Sequence, residues 1–307
     1  MISTAEKLLR DFENRGWKGQ IVPVKHLTDL REAILGTHER GLFDEEFYQE
    51  WLTQFSFEHP EALPSAQSII VIAVPVPLHQ TIFHWQGKRW LLSIPPTYVN
   101  YTATTECVRT TVAALLEQEG YGVVKTKLPL KTLAVRSGLA EWGRNNICFV
   151  PGMGSFLQLV GCFSDLPCVE DPWREPRLME RCDSCVACMR KCPTGAITRE
   201  RVLLHAERCL TFHNERDVEI PFPPWIDSAW HNSLIGCMNC QLICPENKAV
   251  KTWIEEIGEF SAEETALLME RIPFDQLPAE MLAKLRNLGI NDVQALPRNL
   301  AAILNRE

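Results

Sequence analysis

Long apolar runs are missing from this chain of 307 residues. None reaches the ~20 consecutive apolar residues of a membrane-spanning helix, so no membrane partner is expected. Positive charge is also in short supply, with 31 Lys and Arg against 39 Asp and Glu and a net charge of −8. That balance opposes broad binding to a nucleic-acid backbone, which needs a positive face, though it leaves room for a local basic patch. Low-complexity segments are absent, and no repeat is longer than a cysteine motif. The first 17 residues are charged throughout, with no apolar h-region and no twin-arginine start. A cytoplasmic chain is therefore expected. Its 12 cysteines are too sparse for a small disulfide scaffold, and disulfides are rare in that compartment. Clustered cysteines then point to metal or redox chemistry.

What is present is ordinary for a globular protein: 46% apolar and 23% charged residues. The length suggests two or three domains. Residues 1–60 read as helices, with Leu8, Leu9 and Phe12 on one face and Phe47, Trp51, Leu52 and Phe55 repeating the spacing. Residues 68–76, SIIVIAVPV, read as a buried strand. A polar and aromatic loop is expected over 79–96 and a helix over 98–119. A strand begins at Tyr121, and a short helix over 129–137 is stopped by Gly138. Residues 147–150 and 156–163 read as two strands joined by a turn. This alternation makes residues 1–170 an α/β domain. Residues 171–250 hold eight of the twelve cysteines, as a separate ferredoxin-like module. Residues 251–307 return to helical patterning, with Leu277, Met281, Leu282, Leu285 and Leu288 on one face.

The cysteines carry the chemistry. Cys182-x2-Cys185-x2-Cys188-x3-Cys192-Pro193 matches the bacterial ferredoxin run, whose fourth cysteine ligates the other cluster. A gapped copy follows in Cys209 and Cys237-x2-Cys240-x3-Cys244-Pro245. Eight thiolates in two sets of four suit two [4Fe–4S] cubanes. The crossed pattern gives cluster one Cys182, Cys185, Cys188 and Cys244. Cluster two takes Cys192, Cys209, Cys237 and Cys240. Structural zinc, which also uses paired cysteines, does not call for two Cys-x3-Cys-Pro endings. Cys107, Cys148, Cys162 and Cys168 are left over; the first three sit in apolar settings and read as small hydrophobes.

The order LAVRSGLAEWGRNN (133–146), Gly154-Ser155-Phe156, Ser164-Asp165-Leu166-Pro167 and the two cysteine motifs resembles the epoxyqueuosine reductase family. Those are cobalamin-dependent, two-[4Fe–4S] enzymes related to reductive dehalogenases. The resemblance covers roughly residues 65–250. It implies a cobalamin-binding first domain in which Arg136, Gly138, Trp142, Gly143, Arg144, Asn145 and Ser155 line or shape the pocket. It also implies a low-potential electron donor of ferredoxin or flavodoxin type. Glycines permit close backbone approach to a planar ligand, and arginine donates to amides and phosphates. The usual corrinoid motif Asp-x-His-x-x-Gly is absent, which fits base-off binding with no protein ligand to cobalt.

Two departures stand out. Where the family carries its Asp-x-x-Pro segment, this chain reads Val124-Lys125-Thr126-Lys127, and no acidic residue falls between Glu119 and Glu141. Glu141 itself sits in wording closer to the reductive dehalogenases. Tyr98, Tyr101 and Glu141 are therefore the candidate proton donors. The acidic balance and short C-terminal helical segment argue against a tRNA substrate. The expected activity is a reductase passing electrons through two clusters to a corrinoid that reduces a small organic substrate. The alternative is an electron-transfer or corrinoid-handling protein without substrate chemistry of its own.

Overall fold

In this computed structural model, which describes residues 2–290 and 293–305, the strands are, in chain order, β1 (Lys18–Pro23), β2 (Ser68–Pro75), β3 (Leu78–Trp85), β4 (Lys88–Ile94), β5 (Val123–Lys125), β6 (Glu141–Trp142), β7 (Cys148–Phe149), β8 (Leu157–Ser164) and β9 (Ile254–Phe260). They mix with short helices in two units, each assembled from separate stretches. Unit one comprises Met1–Pro75, Ala103–Cys185 and Thr198–His205; unit two comprises Val76–Thr102, Val186–Ile197 and Ala206–Glu307. The boundaries expected after residues 170 and 250 are not boundaries of compact units. The cysteine-rich stretch is shared between the two, and residues after 250 fold with residues 76–102.

Unit one is built on a sheet of order β1-β2-β8-β5, antiparallel at every pairing. All of β8 and the first six residues of β2 are buried. Both faces of these strands are covered, so they read as continuous apolar runs despite the antiparallel pairing. Side chains alternate between two cores. Ile69, Val71, Leu159 and Phe163 pack with Leu27 and Leu30 of the helix Leu27–Glu39 and with Leu133 and Val135 of the helix Leu130–Arg136. Ile70, Ile72, Val160 and Cys162 pack with Leu8 and Phe12 of the helix Thr4–Asn14 and with Val108, Val112 and Leu116 of the helix Tyr101–Glu117. Ser3 and Glu6 form a capping box at the start of Thr4–Asn14.

The expectations for unit one hold in outline and differ in detail. β1 interrupts the stretch expected to be all helical. β7 does not pair with β8 but with β6. Gly138, at φ +83, ends the helix Leu130–Arg136 as expected.

In unit two, the loop expected over 79–96 is a hairpin. β3 and β4 pair from His79↔Ile94 to Trp85↔Lys88. Their turn is Gln86-Gly87, with φ of 50 and 74 at the two residues; two positive φ values match the twist of the flanking strands. β9 adds to β3 in parallel, giving the order β4-β3-β9. Phe83 and Phe260 stack at 4.7 Å beneath this sheet. Leu277, Met281, Leu285 and Leu288 share its core with Leu296, Leu300 and Ile303 of the helix Leu296–Leu304. The helix expected from residue 98 starts at Tyr101, because Asn100 takes φ 54 just before it. Among the described residues no helix is long and apolar enough to cross a membrane.

Candidate metal centre

Short helices carry the cysteines. Cys188 lies in Ala187–Lys191, a helix ended by Cys192 in extended conformation. Cys209 is the N-cap of Leu210–Glu215, Cys240 lies in Asn239–Leu242, and Cys244 caps the turn Pro245–Asn247. Proline after Cys192 and Cys244 has no N–H with which to continue a helix, so each cysteine stands where its helix breaks.

Cys192, Cys209, Cys237 and Cys240 all belong to unit two. They lie close enough to act on one another. Burial pushes the Cys209 thiol up to about 11, with Cys237 and Cys192 adding repulsion. Burial also raises Cys237, and it lifts Cys240 well above its ordinary value, helped by Cys237, Cys209, Cys188 and Cys192. Four thiolates gathered in a dry setting are unfavourable alone, and cationic iron offsets that cost. Four thiols of this kind are a donor set that a [4Fe–4S] cluster can take. Of the other set, Cys182 and Cys185 fall in unit one, Cys188 and Cys244 in unit two. Among the described residues, no group of three or more His, Cys, Asp or Glu side chains is gathered tightly enough for a single ion.

Hydrogen bonds around these loops come from residues that sequence reasoning missed. Asn232 Nδ2 donates to Cys237 Sγ at 3.2 Å. Thr194 Oγ1 lies 3.4 Å from Cys192 Sγ. Asn214 Nδ2 donates to the carbonyl of Gly236, immediately before Cys237, at 2.6 Å. Arg298 is buried in Leu296–Leu304 and donates to the carbonyls of His213 (2.8 Å), Asp217 (2.7 Å) and Ile220 (2.7 Å). Its neighbour Asn299 donates to the carbonyls of Asn214 (2.9 Å) and Leu234 (3.1 Å). The signal for this pair was in plain view: Arg-Asn in an otherwise apolar helical run. His213 has its Nε2 2.9 Å from the Glu207 carbonyl.

The candidate proton donors do not share one element. Tyr98 and Tyr101 lie in unit two, and Glu141 opens β6 in unit one. The Tyr98 hydroxyl donates to the Glu215 carboxylate. Burial raises its pKa well above 10, the Glu215 charge adds to this, and Cys209 and Cys237 contribute. Gly236, at φ +65, makes room for the ring: a Cβ there would lie 2.7 Å from Tyr98 Oη. Tyr98 is thus a neighbour of the cysteine loops. Tyr101 is the first residue of its helix.

The residues expected to line a corrinoid pocket divide by task. Gly138 is a helix stop. Gly143 serves the chain's own packing, since a Cβ would meet Asn145 Oδ1 and the Phe149 ring at 2.5 Å. Arg144 is a strut: Nε and Nη2 donate to the Cys182 carbonyl at 3.3 and 3.0 Å, and Nη1 to the Arg199 carbonyl at 3.2 Å. Trp142 is pinned by its backbone to Arg177 and Met179, and Ser155 is buried. Two donors remain. Asn145 Nδ2 and Arg136 Nε are buried without a hydrogen-bond partner among the described residues. The Arg136 guanidinium lies 5.7 Å from the Trp173 ring centroid. Buried donors call for acceptors, and a ligand bearing amide and phosphate oxygens supplies them.

The stretch where the family carries its acid is structurally committed. Val124 pairs with Phe163 in the sheet. Lys125 Nζ lies 3.1 Å from Glu106 Oε2. Thr126 packs beneath Gly161, where a Cβ would come within 2.6 Å of its Oγ1.

Comparison with known proteins agrees with the cysteine geometry. Residues 181–247 match the 4Fe-4S double cluster binding domain. The chain is similar to the epoxyqueuosine reductase of Escherichia coli K12, 35% identical over 126 residues, which is 41% of this chain and 32% of that protein. It is 27% identical over 238 residues to the epoxyqueuosine reductase of Staphylococcus aureus, covering 75% of this chain and 60% of that one. The matched part thus spans about a third of the first relative's length and three fifths of the second's. In fold, the chain is similar to the structure of epoxyqueuosine reductase from Streptococcus thermophilus, with a TM-score of 0.68 and 17% identity over 97% of this chain and 80% of that one. The mixed α/β fold is like that of an epoxyqueuosine reductase, with a 4Fe-4S double cluster domain over residues 181–247.

Proposed function

We propose that this chain is an iron–sulfur reductase of the epoxyqueuosine reductase type that passes electrons through two [4Fe–4S] clusters to a base-off corrinoid. A single observation supports the electron-transfer part best: Cys192, Cys209, Cys237 and Cys240 all lie in unit two as half-buried thiols, and the pKa values of Cys209, Cys237 and Cys240 are raised. A corrinoid bound without a lower ligand would supply a strongly reducing, nucleophilic cobalt. Of the residues expected to line the pocket, Arg136 and Asn145 have unmet donors that would hold its amide or phosphate oxygens. Arg144 fixes the loop at Cys182 rather than the corrinoid. Tyr98 keeps its proton at neutral pH, since its pKa is raised. Tyr101 and Glu141 are the remaining candidates to deliver one. The electron donor is a ferredoxin- or flavodoxin-type carrier, and the substrate is a small organic molecule rather than a tRNA.

A second reading, an electron-transfer or corrinoid-handling protein, is favoured by the commitment of Val124, Lys125 and Thr126 to the sheet and its neighbours. A general acid must present an exchangeable proton within hydrogen-bond reach, and these residues present no carboxyl. The test is electron paramagnetic resonance of the anaerobically reconstituted protein mixed with cob(II)alamin. The reductase reading expects a base-off spectrum without nitrogen superhyperfine splitting. An unchanged free-cobalamin signal moves the assignment to the second reading. Turnover of epoxyqueuosine-containing tRNA should be absent or very slow, and fast turnover would refute the small-substrate assignment.

A further inference from the structure

We propose that Asn232 sets the reduction potential of the cluster held by Cys192, Cys209, Cys237 and Cys240, through a fixed N–H···S hydrogen bond to Cys237. The inference rests on the two-cluster reading above and assigns to it a controlling residue.

The amide of Asn232 has one orientation that satisfies its surroundings. Its Oδ1 accepts from the Met238 backbone N–H at 2.8 Å and from Ser233 Oγ at 3.0 Å. An NH2 group cannot accept from the Met238 N–H, so that contact fixes the orientation of the amide. Nδ2 then points the other way. It donates to the Trp230 carbonyl and to Cys237 Sγ, each at 3.2 Å. Two donors and two acceptor positions are all used, so the N–H that meets the sulfur is held from four sides. Asn232 therefore does more than fill a loop, because one of its bonds ends on a ligand atom.

The direction of the effect follows from charge. Reduction adds negative charge to the cluster and its thiolates. A hydrogen-bond donor stabilises the more negative state more strongly, so it raises the potential. Removing it should make the cluster harder to reduce.

The test uses the full chain, anaerobically reconstituted, with Asn232→Leu and Asn232→Asp. Asn232→Leu removes the donor without adding charge. Asn232→Asp keeps an oxygen to accept from Met238 N–H, and so keeps the structural contact while losing the N–H. Iron is counted first, then each cluster is titrated potentiometrically by electron paramagnetic resonance. In both variants one cluster should shift to more negative potential while the other stays in place. The expected size is about a tenfold fall in its equilibrium constant for reduction, or ~59 mV for one electron. Pulsed resonance after exchange into deuterated water should also lose one deuteron coupling to that cluster. Full iron with unmoved potentials would overturn the proposal. Iron lost from Asn232→Asp as well would make the residue a strut for the Cys237 loop and overturn it too. About four irons in the unsubstituted protein would fail the two-cluster reading itself, a result distinguishable from either.

Discussion

The two units hold themselves together by different means. In unit one, β2 and β8 present aliphatic side chains to two cores in strict alternation, and the helices that cover them do so with apolar stripes. In unit two, the helices carrying Cys188, Cys209 and Cys240 have only four to six residues, too few to be stable alone. Their loops leave backbone carbonyls that need partners. Arg298, Asn299, Asn214 and Asn232 supply them from the side-chain inventory. A sheet can be specified by a pattern of apolar residues. A ligand cage made of loops needs named donors at named carbonyls, and single substitutions there reach the metal.

That contrast can be broken most directly at a ligand. Cys192→Ser should leave about four of about eight irons per chain, measured after anaerobic reconstitution. Retention of both clusters would show that Cys192 is not a ligand, and the unit-two set would have to be redrawn.

Next in size is the guanidinium that serves four carbonyls. Arg298→Ala should cost about 3 kcal/mol in urea unfolding of unit two, since each buried acceptor left unmade carries a penalty. Arg298→Lys should not restore it, because a point charge cannot span acceptors arranged for a planar fork. Iron loading should fall as well. Val112→Ala, a cavity in the aliphatic core of unit one, should cost about 2 kcal/mol and leave the cage in unit two loaded. Equal iron loss from both would erase the distinction between the units.

The smallest effect sharpens the picture of unit one, which is not purely apolar. His26 stacks on Trp173 at 4.2 Å and bonds Asp29 and Asp171, while Lys25 Nζ lies 2.8 Å from Asp171. Burial alone would raise Asp171, but its bonds to Lys25 and His26 outweigh this and bring it from 3.8 to about 2. A carboxyl depressed on folding stabilises the folded state above its unfolded pKa, and that contribution fades as pH falls through the folded one. Acid unfolding between about pH 4 and 2 should therefore be less steep in Asp171→Asn. The carboxylate is a third exposed, so solvent screening keeps the effect modest. An unchanged acid profile would remove the clamp from the account.

Much of unit one was legible in its residues. SIIVIAVPV is β2 almost to the residue, and Gly138 stops the helix it was expected to stop. The cysteine spacing located the double-cluster domain because ligand geometry imposes that spacing directly. The hairpin of β3 and β4 was missed because Gln86-Gly87 lacks the Asn-Gly or Asp-Gly signature, and histidines and tryptophans obscure the alternation. Glycines 138 and 143, read as shaping a pocket, also have local tasks: one follows a helix end and the other makes room for the Phe149 ring. Asn232 and Arg298 could not be assigned from sequence. Their roles depend on which carbonyl or sulfur the fold brings to them.

The pairing of β3 with β9 has a consequence for how the protein is made. β3 emerges early in synthesis, whereas its parallel partner comes after all eight cluster cysteines. Such distant pairing must close a long loop before any contact rewards it. Until β9 and the helix Leu296–Leu304 have been translated, the donors of Arg298 and Asn299 are not available to the Cys209 and Cys237 loops. The cage in unit two is therefore completed only once the helix Leu296–Leu304 has been made. Iron delivered earlier would meet unorganised thiols, so assembly of that cluster follows translation of the helix Leu296–Leu304, and a double-cluster fragment cut at residue 250 would lack the parts that shape it.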